Sequence, residues 1–232
     1  MRSSFANSGQ ICLCGSRILV QDGLYDAFVA AFLAKVQEAV RVGPPSDPAA
    51  TMGPVVSAAH RAKIEGMVAA ALRQGGQLLL GGARPQGAWA EQGCYLLPKV
   101  IAGLGEQCQA VQEEIFGPVV TLQRFRDEAH AVQLANSTRY GLAASLWTSN
   151  LECAHRVAQS LESGMVWVNN WLVRDLSTPF GGVKDSGVGR EGGRYSLEFF
   201  SEAKNIYIHL PPPVRPDASA APAPAPAPAP LL

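Results

Sequence analysis

Apolar stripes of helical spacing, alternating with short apolar runs, are the pattern that most limits what this chain can become. Leu24, Phe28, Phe32, Val36 and Val40 recur every four residues and mark one face of a helix, which Asp22 is placed to cap. A helix with one apolar face needs a second layer to cover it. Ser16 to Gln21, just before it, reads as a short strand. A second helix is expected from Ser57, with Ile64, Met67, Val68, Ala71 and Leu72 inward and Gly75-Gly76 as its stop. Leu78-Leu79-Leu80 then reads as a buried strand, Pro118 to Phe125 as another, and Asp127 to Asn136 as a helix. Leu142 to Thr148 and Gly164 to Asn169 are expected as strands flanking a helix that Asn150 opens and Gly164 closes. This alternation specifies an α/β fold, a mostly parallel sheet with flanking helices.

At 232 residues and 47% apolar content, the chain can bury a full core as one large domain. Lys plus Arg equals Asp plus Glu at 19 each, which gives no electrostatic reason to expect nucleic acid or an anionic membrane as partner. A small molecule or another protein is the expected partner. The longest apolar stretch, Tyr25 to Val40, is interrupted by Asp26, Lys35, Gln37 and Glu38 and is not a bilayer span. Met1-Arg2-Ser3-Ser4 lacks a following hydrophobic run of signal-peptide type. Cys12, Cys14, Cys94, Cys108 and Cys153 are odd in number and without zinc-ligand spacing, so reduced thiols in a cytoplasmic setting are expected. His60, His130, His155 and His209 show no metal spacing either, and no metal is expected.

Near the end, a helix around Gly192 to Phe200 precedes Asn205-Ile206-Tyr207-Ile208-His209, read as a short strand that must be paired or covered. From Pro211 the composition turns to proline and then an Ala-Pro repeat, Ala221 to Pro230. Such a tail is expected to be disordered or semi-stiff, without a core of its own.

Three segments carry the chemistry. Phe5-Ala6-Asn7-Ser8-Gly9-Gln10-Ile11-Cys12 puts a thiol just after a glycine turn. Glu113-Glu114-Ile115-Phe116-Gly117-Pro118-Val119 stands in the middle, and Pro179-Phe180-Gly181-Gly182-Val183-Lys184-Asp185-Ser186-Gly187-Val188-Gly189-Arg190-Glu191 follows. In this order, over residues 2 to about 210, they resemble the catalytic half of an NAD(P)-dependent aldehyde dehydrogenase. Trp171-Leu172-Val173-Arg174-Asp175-Leu176, with the Arg-Ser-Ser-Phe-Ala-Asn opening and Cys-Leu-Cys, is similar to the 2-aminomuconic and 2-hydroxymuconic semialdehyde dehydrogenases. The resemblance implies a catalytic domain over 1–202 and an oligomerisation strand at 203–210, ahead of the tail that composition marks at 211–232. It also implies homo-oligomers, or pairing with a full-length relative.

An aldehyde releases hydride only after a nucleophile has made a tetrahedral adduct and an oxyanion develops, and a thiolate does this well. The family's Gly-Gln-x-Cys pattern places that nucleophile at Cys12, where an isolated cysteine would otherwise read as inert. By the same resemblance Glu114 accepts from the nicotinamide ribose hydroxyls of NAD and Phe116 packs near the nicotinamide end, with core packing as the compatible alternative. Lys63 matches a position that approaches the cofactor ribose, against the reading of a solvated helix lysine. The resemblance also implies that Phe180 and Trp171 belong to the aldehyde pocket and that Arg174 holds a substrate carboxylate, the alternative for Arg174 being a salt bridge to Asp175 or another acid. Asn169 is read as structural, and the Gly181 to Gly189 run as lining the substrate entrance, since glycines alone do not make a phosphate loop.

The resemblance further implies a dinucleotide-binding half before the cysteine, holding a general-base glutamate, an oxyanion-binding asparagine and a Gly-rich turn for the pyrophosphate. None has a match here. Two readings therefore stand: the catalytic domain of an NAD-dependent semialdehyde dehydrogenase, or a truncated, non-catalytic product that pairs through its terminal strand.

Overall fold

The structure, a computed structural model, describes residues 1–212. It opens on a single turn, α1 (Arg2–Phe5), and a 3-10 turn (Ala6–Gly9), then enters β1 (Arg17–Gln21) and the long α2 (Tyr25–Ala39). After α3 (Ala58–Arg73) come β2 (Gln77–Leu80), α4 (Ala88–Glu91), β3 (Lys99–Ala102), α5 (Gln109–Gln112) and β4 (Val119–Phe125). The order continues α6 (Glu128–Asn136), β5 (Tyr140–Gly141), β6 (Ala143–Leu146), α7 (Leu151–Ser160), β7 (Met165–Val168), β8 (Val183–Lys184) and α8 (Gly193–Phe199).

The main sheet runs β1-β4-β3-β2. β1 and β3 both lie parallel to β4, in registers that set Arg17 beside Thr121 and Lys99 beside Val119, while β2 is antiparallel to β3. β6 and β7 form a separate parallel pair, and β5 with β8 an antiparallel one. Successive residues of a strand face opposite ways, and β3 and β4 use this to serve two cores. Val100, Val120 and Leu122 pack with Phe32 and Val36 of α2 on one face. Ile101 and Val119 pack with Ile64, Met67, Val68 and Ala71 of α3 on the other. The sheet is thus covered on both sides, as parallel sheets are.

Local chemistry explains the helix ends. Ser57, Asp127 and Asn150 each accept, through the side chain, the backbone N–H three residues on, and so cap α3, α6 and α7 as expected. Asp22 does not cap α2: the chain first winds a 3-10 turn over Asp22–Leu24, and the helix proper begins without a side-chain cap. That shift turns Leu24 out, to 61% exposure, and leaves Phe28 at the rim. α7 ends at Ser160, ahead of Gly164. Gly164 serves packing instead, because a Cβ there would stand 1.7 Å from the carbonyl oxygen of Gly181, so the Gly-rich segment can rest against the start of β7. Among the described residues no helix is long and apolar enough to cross a membrane.

Met1–Phe200 form one compact unit, and Ser201 onward a second. Within the second, residues 201–212 are exposed and form no helix or strand, so the strand expected at Asn205 to His209 is absent from the single chain. A strand is defined by its partner, and none is supplied here. Most of the expected Pro/Ala tail, residues 213–232, lies outside the described residues.

Candidate functional site

Cys12 is exposed at the second position of a turn closed by the Cys14 N–H donating to the Ile11 carbonyl, 2.9 Å. The approach to it runs through Asn7, Ser8 and Gly9, all in the left-handed region with φ of 49°, 58° and 72°. Backbone of this kind persists only where surroundings over-determine it, and several attachments do so. Ser8 Oγ donates to the Gly53 carbonyl at 2.9 Å, and the Val56 N–H donates to Gln10 Oε1 at 3.0 Å, binding the turn to the segment that leads into α3. On its far side Trp171 Nε1 donates to the Leu13 carbonyl at 2.8 Å. Cys14, two residues on, is half-buried with Sγ 3.9 Å from the Ala6 carbonyl, and burial pushes its thiol pKa up, away from the reactive thiolate.

Glu113 to Pro118 lies directly against this turn. Glu113 accepts from Arg139 at 2.9 Å and from the Tyr140 hydroxyl at 3.1 Å, and these two bonds hold its carboxyl below the usual range. Glu114 is exposed, and its carboxylate has no hydrogen bond or ion pair with the described residues. Of the two acids, Glu114 is the one available to a ligand. Phe116 is itself left-handed, φ 56°, and its carbonyl accepts from His60 Nε2 at 2.7 Å, with the two rings edge to face at 6.3 Å. Lys63 Nζ reaches the Glu114 carbonyl at 3.4 Å. The structure therefore brings Cys12, Lys63, Glu114 and Phe116 to one region built on the start of α3.

Arg174 and Phe180 form a pair of their own, the guanidinium carbon 4.1 Å above the ring centroid. Of the ion pairs expected for Arg174, the one found among the described residues is with Glu191, at 3.7 Å and partly in solvent; such a contact is worth little. Asp175 is taken up by Ser177, whose N–H and hydroxyl both donate to it and lower its pKa. Phe180 and Glu191 exchange two backbone hydrogen bonds of 2.8 Å, so the pair sits on a fixed bridge. Trp171 links it to the cysteine turn. Asn169 accepts from the Thr148 N–H and donates to the Thr148 carbonyl, a structural clamp as expected.

A cavity of about 480 Å³ beside Leu104, Glu106, Gln123 and His130 contains none of these residues. The reactive groups lie in the open, on a surface. Sequence reasoning missed His60 and left Glu113 without a role. The helical spacing of His60 and Lys63 was the available signal for the first; nothing local announces that Arg139 and Tyr140 reach Glu113.

Residues 1–206 match the aldehyde dehydrogenase family. The chain is 46% identical over 211 residues to the 2-hydroxymuconic semialdehyde dehydrogenase of Pseudomonas putida, covering 90% of this chain and 43% of that protein. It is 44% identical over 211 residues to the 2-aminomuconic semialdehyde dehydrogenase of Homo sapiens, with the same two shares. It superimposes with a TM-score of 0.82 and 39% identity on the betaine aldehyde dehydrogenase of Staphylococcus aureus in complex with NAD+, over 86% of this chain and 39% of that one. The chain spans less than half the length of these relatives. With the match running through the cysteine turn, the Glu114 loop and the Arg174–Phe180 bridge, this chain belongs to the aldehyde dehydrogenase family.

Proposed function

We propose that this chain is the catalytic part of an NAD-dependent dehydrogenase that oxidises a carboxylate-bearing semialdehyde, of the 2-aminomuconate or 2-hydroxymuconate type, to the acid. The observation that carries the reading is the exposed Cys12 thiol on a turn whose Gly9 packs backbone to backbone against Gly117, in the loop that presents Glu114. In this reading the Cys12 thiolate adds to the aldehyde carbon, the C–S bond forming as the carbonyl electrons move to oxygen, and the adduct becomes able to release hydride. NAD, when bound, supplies the hydride acceptor. Water then releases the thioester from Cys12 as the carboxylic acid.

Glu114, the acid not engaged by Arg139, suits a ribose diol because a carboxylate accepts from two hydroxyls at once. Lys63 and Phe116 flank it. Arg174, held over Phe180 and only weakly engaged by Glu191, supplies the fork that would receive the substrate carboxylate, with Trp171 fixing the approach. The reading places the protein in the cytoplasm, with reduced thiols.

It also makes the 232-residue chain alone incompetent for turnover: the family's general base, oxyanion asparagine and pyrophosphate turn have no match in it. Self-assembly, or pairing with a longer relative, is supported by Ile206, Tyr207 and Ile208, which are exposed by 70%, 90% and 76%. Brief alkylation of the folded chain followed by mass-spectrometric mapping tests the assignment. Cys12 is expected to label first; earlier labelling of Cys94, Cys108 or Cys153 would overturn it.

A further inference from the structure

The first turn of α3 and the residues just before it hold two segments that are far apart in sequence. The residues leading into the helix take the cysteine turn, through Ser8 to Gly53 and Gln10 to Val56. The third residue of α3 takes the other segment, through His60 to Phe116. We propose that His60 is a positioning residue which keeps the Glu114 loop in register with the Cys12 turn, so that nucleophile and ribose-binding acid keep one geometry. The proposal rests on the reading of Cys12 and Glu114 as parts of one active site.

The chemistry of the contact is specific. A carbonyl oxygen only accepts, so the 2.7 Å contact requires a hydrogen on Nε2 of His60. The backbone that carries the imidazole is itself anchored, since the His60 backbone N–H donates to Ser57 Oγ at 3.1 Å at the head of a 16-residue helix. Its target is strained: Phe116 is a non-glycine residue at φ 56° and keeps that conformation only while something holds its peptide. Releasing the carbonyl lets the peptide turn. Glu114 lies two residues before Phe116, and the next residue, Gly117, presents the carbonyl that touches Gly9. A movement of this one peptide therefore reaches both the acid and the backbone leading to the thiol.

Packing alone would give His60 a different signature, because its ring also meets Phe116 edge to face. His60→Phe keeps the ring and removes the donor; His60→Gln keeps an N–H of similar reach and removes the ring. Amide exchange over residues 113–118 and the alkylation rate of Cys12 would be measured in the full 232-residue chain for wild type and both variants. His60→Phe is expected to raise exchange across 113–118 about five- to tenfold, the effect of losing one ordinary hydrogen bond from a local opening equilibrium. It should also change the Cys12 rate severalfold, and His60→Gln should bring both back toward wild type. Unchanged exchange in His60→Phe, a raised exchange with an unchanged Cys12 rate, or failure of His60→Gln to restore either one would overturn the proposal. If the Phe variant does not fold, wild-type protection in the Gln variant supports the proposal and its loss rejects it. Unreactive Cys12 in wild-type protein would sink the active-site reading instead, leaving the exchange comparison to judge the His60 contact.

Discussion

Gly9 and Gly117 meet backbone to backbone: a Cβ built on Gly9 would stand 2.1 Å from the Gly117 carbonyl oxygen. Neither side of that contact is a flexible side chain, so neither can yield without moving a turn. Gly9→Ala is expected to destabilise the protein by more than about 2 kcal/mol, adding a backbone clash to the penalty for Ala at positive φ. Gly23→Ala, whose Cβ would meet nothing within 4 Å, is the control. Urea unfolding of both measures it, and equal midpoints would refute the close approach.

Arg174 should act on Cys12 through charge even without a substrate. Iodoacetate and iodoacetamide alkylate the same thiol, but only the first carries a carboxylate. Arg174→Ala is expected to lower the ratio of the two rates at Cys12 by about three- to tenfold, for an interaction on the order of 1 kcal/mol in a partly exposed site. Added salt should shrink the difference. A ratio that does not move would leave Arg174 with Glu191 and Phe180 as its whole role.

Much of this architecture is legible in the sequence, because its determinants are local. Ser57, Asp127 and Asn150 announce helix starts, and Ile64, Met67, Val68 and Ala71 mark the buried face of α3. β3 was not legible. Lys-Val-Ile-Ala is buried on both faces and shows no alternation, and its lysine, a residue that normally argues for surface, folds back to donate to the Gly81 carbonyl while burial lowers its pKa. The Cys12 and Arg174 segments could be found because their residues sit close together in sequence. The contacts that fix them could not: Trp171 with Leu13, His60 with Phe116 and Arg139 with Glu113 are tertiary pairings between segments that carry no mutual signal.

The Glu113 latch carries a pH dependence with a definite sign. Hydrogen bonds from Arg139 and Tyr140 depress its folded pKa, so its contribution is complete above the unfolded value of about 4.3 and is lost as pH falls through the lower folded value. Thermal melts of wild type and Glu113→Gln should differ by a constant amount from neutral pH down to about 4.5, then converge on further acidification. A difference that grows in acid would show that the latch is not held by the ionised form.

Residues 205–209 are expected to gain strand structure on association, since Ile206 and Ile208 can line one face while the backbone finds a partner edge. Light scattering should report a smaller mass for a chain ending at residue 202 than for one ending at 212. Equal masses would remove this segment from assembly.

The parallel pairing of β1 with β4 sets an order of events during synthesis. Arg17 leaves the ribosome before its register partner Thr121, which follows only after α2, α3, β2 and β3 have been made. β2 and β3, close in sequence, can pair first; contacts between distant segments come later because their loop-closure entropy is larger. The turn before β1 is fixed partly by Gly117, just ahead of β4, and by Trp171, later still. Cys12 is thus made before Gly117 and Trp171, the residues that fix its turn, and until they follow it is an ordinary thiol without its surroundings.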